Sequence, residues 1–133
     1  GLQKNQEEIN EGAKLAEDVD QLFSFTRHGK YDHVQEFFDD PDCQYPIDTK
    51  DALGNTLLSI AAQNGNKRIA KLCLRRGADI NTQNLNGQTV LHYCIAYGHN
   101  SLAEYFLQKG CDETLQNADG LTCYEGLSLE NLE

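Results

Sequence analysis

Positive charge is scarce in this chain: 11 Lys and Arg stand against 21 Asp and Glu in 133 residues, a formal net charge of −10. Nucleic acid is gripped through cations on phosphates, and anionic membrane surfaces through basic clusters, so neither is expected as a partner. Long hydrophobic runs are also missing. No stretch of eighteen apolar residues occurs, which excludes a membrane-spanning helix. The opening Gly1-Leu2-Gln3-Lys4 has neither the basic nor the apolar block of a secretory signal. The five cysteines are odd in number, widely spaced and without a Cys-x-x-Cys pair. A disulfide framework is therefore not expected, and a reduced, intracellular, cytoplasmic setting is. No Gly-Lys-Ser or Gly-Lys-Thr is present, so the glycines form no phosphate loop. Asp39, Asp40 and Asp42 lack the glycine and the terminal glutamate of a calcium loop. His28 and His33 have no cysteine pair near them. No metal and no cofactor is expected.

What the chain does have is a period. Gly54 recurs as Gly87 and Gly120, Thr56 as Thr89 and Thr122, Gly65 as Gly98, Gly77 as Gly110, and Asp79 as Asp112, always 33 residues on. Between 51–83 and 84–116, nine positions are identical. A fixed spacing of this length marks a repeat architecture in which each unit leans on the next. Three- and four-residue apolar spacing predicts a helix over 2–28, its regular part starting near Gly12, because glycine inside a helix costs roughly 1 kcal/mol against alanine. Further helices are predicted over 31–39, 57–64, 67–75, 90–97 and 101–108, with one more beginning after Thr122. Asp40-Pro41-Asp42 should end the second, since proline disfavours helical geometry before it. Thr56 and Thr89 are placed as N-caps. The divisions are a helical cap over 1–17, a degenerate first repeat over 18–50 with a three-residue insertion, full repeats over 51–83 and 84–116, and a partial repeat over 117–133.

These residues resemble the ankyrin repeat. The second copy supplies Asp51, Gly54, Thr56, Leu58, Ala61, Ala62, Gly65, Gly77, Ala78, Asp79, Ile80 and Asn81 of the family's framework; the third supplies Gly87, Thr89, Leu91, His92, Gly98, His99, Leu107, Gly110 and Asp112. The family's proline after threonine is absent, replaced by Leu57, Val90 and Cys123, and Ser59 stands where the histidine is expected. The resemblance implies an all-α solenoid of stacked helix-turn-helix hairpins with projecting turns. It implies protein–protein recognition, without catalysis, by turn tips and the inner surface of each first helix. It also makes His92 part of inter-repeat hydrogen bonding. Asn81 resembles the asparagine hydroxylated in many such repeats, with Cys73 where leucine is preferred; a one-oxygen mass increase on its peptide would mark the change. The ending 120–127 is similar to ankyrin modules inside large proteins of single-celled eukaryotes, some cytoskeletal or ciliary, which extends the cytoplasmic expectation to a cytoskeletal one.

The framework leaves certain positions free, and in the family these line the recognition face. Here they include Leu53, Asn55, Gln63, Asn64, Leu85, Asn86, Gln88, Tyr97, Asp119 and Leu121. Leu53, Leu85 and Leu121 on turn tips, with Tyr97 nearby, suit apolar anchors in a polar rim. Scattered surface leucines that need no explanation are the competing reading. Net charges of −7, +3 and −6 over 1–50, 51–83 and 84–133 point to a partner protein that is neutral or basic at the contact, held by a monomer. Lys67, Arg68, Lys71, Arg75 and Arg76 stand out as a basic strip, either a solvated outer face or a docking patch for an acidic partner. Two other functions fit the same residues: a regulatory module that occludes a partner enzyme, and a spacer within a longer array.

Overall fold

The computed structural model describes residues 6–125, with 8–16 as backbone alone. Among them are six helices and no strand: α1 (Gln6–Arg27), α2 (Tyr31–Asp39), α3 (Leu57–Asn64), α4 (Lys67–Arg75), α5 (Val90–Ala96) and α6 (Asn100–Gln108). They pair as hairpins α1–α2, α3–α4 and α5–α6, and the first helices α1, α3 and α5 pack in succession. The predicted bounds of α2, α3 and α4 are met, while α5 and α6 each shift by one residue. α1 differs more: it runs unbroken through position 12 from Gln6. One glycine's cost is small beside the strong helix formers that flank it. The helix predicted after Thr122 lies largely outside the described residues; 123–125 form a turn closed by the Glu125 N–H on the Thr122 carbonyl at 3.1 Å. The side chains of 8–16 and all of 126–133 lie outside what is described.

Each full repeat starts its first helix without the family's proline, and a capping box takes its place. Thr56 is extended (φ −93°, ψ 172°), its hydroxyl accepts from the Ser59 N–H, and Ser59 Oγ accepts from the Thr56 N–H at 3.2 Å. Thr89 and His92 repeat this, with the imidazole Nδ1 accepting from the Thr89 N–H at 3.1 Å. Two orphan donors are satisfied at each helix start. Ser59 therefore performs locally what the histidine performs one repeat later. The far ends match too: the Asn66 N–H bonds the Ala61 carbonyl and the His99 N–H the Cys94 carbonyl, both at 2.8 Å. The two copies start and close their first helices with the same hydrogen bonds.

Packing separates the two helices of a hairpin. Leu57 to Ala62 of α3 and Val90 to Cys94 of α5 are buried throughout, so the first helices form the spine of the core. The second helices are amphipathic and bury one stripe: Val34; Ile69, Ala70, Leu72 and Cys73; Leu102, Ala103 and Phe106. α1 adds Leu22, Phe23 and Thr26 at the amino-terminal end. Burying a side chain of leucine or phenylalanine size stabilises by about 1.5–3 kcal/mol. No single hairpin buries both of its faces. That is the physical reason the units stack.

Candidate protein-binding surface

The turn before each first helix is closed by one side chain. Asp51 Oδ1 accepts from the Leu53 and Asn55 N–H groups, both at 2.9 Å. Asn84 Oδ1 accepts from Asn86 and Gln88, and Asn117 Oδ1 from Asp119 and Leu121, all at 3.0 Å. Successive tips are then tied together. The Leu85 N–H donates to the Leu53 carbonyl at 3.0 Å, and the Ala118 N–H donates to the Asn86 carbonyl at 2.9 Å. Glycine permits this closeness. Gly54 and Gly87 have φ of 77° and 71°, and a Cβ on Gly87 would lie 2.9 Å from the Ala118 nitrogen.

The ladder corrects two of the sequence expectations. Asn55 is only 5% exposed and Gln88 only 2%. Their carbonyl oxygens accept from the next tip's carboxamide, Asn84 Nδ2 to Asn55 Oδ1 at 3.0 Å and Asn117 Nδ2 to Gln88 Oε1 at 3.3 Å. Both are joints between repeats, not groups offered to a partner. Asn81, the modification candidate, is likewise a joint. Its Oδ1 accepts from the Asp112 N–H at 2.8 Å, as Asp48 one repeat earlier accepts from the Asp79 N–H at 3.1 Å. Hydrogen bonding to Thr114 holds the Asp112 carboxyl below its usual range.

The remaining candidates stay accessible in whole or part. Leu53 and Leu85 are 64% and 74% exposed and neighbours across the tip bond. They occupy unequal positions in their tips, and the stagger of the ladder brings them together. Below them, Asn84 Nδ2 also donates to the Tyr93 hydroxyl at 2.7 Å. Tyr93 hydrogen-bonds Gln63 and stacks nearly parallel on Tyr97, with centroids 6.3 Å apart and planes 3° apart. Burial is the main cause that raises the Tyr93 phenol above its ordinary value of 10.0. Tyr93 is itself only 6% exposed and acts as a buried support that links the Asn84 tip to half-exposed Tyr97. Asn86 and Asp119 are exposed on the tips; Leu121 is half-buried. Asn64 is exposed, with its Nδ2 donating to the Arg27 carbonyl at 3.3 Å.

Tyr93 was missed from sequence because it occupies a core position of the framework. Also missed was a shallow groove of about 480 Å³ beside the first tip, lined by Val19, Phe23, Tyr45 and Ala52 and rimmed by the Arg27–Asp51 ion pair at 3.8 Å. Tyr45 belongs to the segment whose insertion breaks the repeat register. No periodic signal could have placed it.

Two polar cores stabilise this face. His92 is buried, its Nδ1 accepting from the Thr89 N–H and its Nε2 donating to the Leu121 carbonyl at 2.9 Å, and burial lowers its pKa below 6.5. His99 Nε2 donates to the Gln63 carbonyl at 3.0 Å. The thiols of Cys73, Cys94 and Cys111 are pushed up to about 12, chiefly by burial. They sit in the wall as small apolar groups and are not thiolates at neutral pH. Among the described residues no cluster of three or more His, Cys, Asp or Glu is placed to hold a metal ion.

Stacked helical hairpins, glycine-closed tips tied one to the next, and a histidine bridging adjacent tips define a helical repeat protein. A model of ankyrin repeats in three copies matches residues 22–117, and the chain belongs to the ankyrin repeat family. A comparison with curated proteins yields no match. Ankyrin repeats are in general protein–protein interaction modules and are typically non-catalytic.

Proposed function

We propose that this domain is a non-catalytic adaptor that holds a partner protein on its tip face, through the apolar pair Leu53 and Leu85 and half-exposed Tyr97. The single observation that carries the reading is the adjacency of two leucines, each more than half exposed, on consecutive tips that the backbone ladder holds rigidly. A preorganised apolar anchor set within Asn64, Asn86 and Asp119 has the make-up of an interface centre with a polar rim. Rigid tips reduce the ordering cost of association, so binding energy is not diverted into fixing loops. The partner is neutral or basic where it touches, given the −10 charge of the chain, and the domain acts as an intracellular monomer.

Affinity capture with the wild type and with the Leu53→Glu/Leu85→Glu/Tyr97→Ala variant tests the reading. All three side chains are accessible, so far-ultraviolet circular dichroism should be unchanged while captured partner falls at least about tenfold. Undiminished capture by the variant would overturn the assignment of this face.

A further inference from the structure

We propose a second docking surface on the outer side of the solenoid, centred on Tyr105, that takes an acidic protein segment. Lys67 and Lys71 of α4 and Lys109 after α6 place their ammonium groups 5.2, 5.4 and 5.7 Å from the centroid of the one Tyr105 ring. Among the described residues, none of the three has a carboxylate within ion-pair distance. Among the described residues the ion pairs are Arg27–Asp51 and Arg76–Asp39. Glu104 is the carboxylate next to Tyr105 in the chain, and it is exposed and pairs with none of them.

The other half of the basic strip behaves differently. Arg68 lies 3.8 Å over the Tyr31 ring, Arg75 donates to the Tyr31 hydroxyl at 3.1 Å, and Arg76 pairs with Asp39 beside Phe38. Those three guanidiniums fasten α2 to α4. The three ammoniums fasten little, because an aromatic ring attracts a solvated cation only weakly. They also repel one another. Carboxylates of an acidic segment laid across Tyr105 would meet ammoniums that each lie within 6 Å of its ring centroid and would relieve that repulsion. From Lys67 a cleft of about 340 Å³ continues between the hairpin ends, lined by Gly65, Gly98, His99 and Asn100. It gives an extended segment a path away from the lysines.

Charge selects the occupant. The chain carries a net charge of −10, so a broad anionic bilayer or a nucleic acid, which must lie against more of it than three cations, would meet repulsion. A narrow acidic segment would not. The surface is distinct from the apolar tip face and independent of its assignment.

Fluorescence anisotropy of a labelled oligoglutamate peptide, titrated with the protein at low salt, tests the proposal. Saturable binding is expected, weakening as salt is added. The Lys67→Gln/Lys71→Gln/Lys109→Gln variant should lose at least about tenfold in affinity, while Lys30→Gln/Lys50→Gln changes it less than about twofold. Amide shift mapping on the wild type should place the peptide on α4 and α6, which keeps the test decisive if the triple variant fails to fold. The proposal is overturned by an absence of saturable binding, by equal losses in the two variants, or by shifts on the tips. Preference for phosphatidylserine vesicles over the peptide would overturn it as well.

Discussion

Gly87 is the residue on which the tip ladder most depends. Its φ of 71° disfavours any side chain, and an added Cβ would meet the Asn117 and Ala118 backbone at 2.9 Å, where no rotamer change gives relief. Gly87→Ala is expected to destabilise the domain by about 1–3 kcal/mol, measured as a lower urea midpoint. An unchanged midpoint would mean the tips are looser than described. His92 sets a pH dependence. Its folded pKa lies below its ordinary value of 6.5 because burial disfavours the imidazolium. Below 6.5 the unfolded chain therefore takes up a proton that the folded chain refuses. The stabilisation is fully present above pH 6.5 and is lost as pH falls through the folded value. Urea midpoints compared between about pH 8 and about pH 5 should drop more for the wild type than for His92→Gln. Equal drops would remove His92 as the cause.

At the scale of the helix, the capping boxes explain why the missing proline does no harm. Thr56 with Ser59 and Thr89 with His92 each satisfy two amides that a preset φ alone would leave open. Thr89→Val keeps the volume but removes the acceptor, and a loss of about 0.5–2 kcal/mol is expected on thermal unfolding. No loss would show that the cap is redundant. Element positions were legible in the sequence because glycine, threonine and the apolar period coincide in two copies. Leu53, Leu85 and Tyr97 could be named for the same reason: the framework has no use for them. Asn55 and Gln88 could not be sorted correctly, because a carboxamide satisfied by the neighbouring tip and one facing water look alike in a string of letters. Tyr93 was hidden by a position that reads as core, and Tyr45 by the insertion that ends the repeat register. Lys109 stands apart from the basic strip in the chain; only α6 packing brings it to the lysines of α4.

For the molecule as a whole, two surfaces of different chemistry stand out. The tips expose Leu53 and Leu85, and the outer helices place three lysines around Tyr105. The core between them is a continuous stack from Leu22 to Cys123. Each repeat supports the next through paired carboxamides, the histidine bridge and the tip bonds, so the proposed recognition surface has the rigidity of the stack beneath it. The most direct measurement is site-specific crosslinking in cells, with a photo-reactive phenylalanine placed in place of Leu85 or, separately, of Glu36, which is exposed on α2. A discrete crosslinked partner from position 85 and none of that mass from position 36 is the predicted result. The same partner from both positions, or from position 36 alone, would contradict the tip face as the place where this protein holds another.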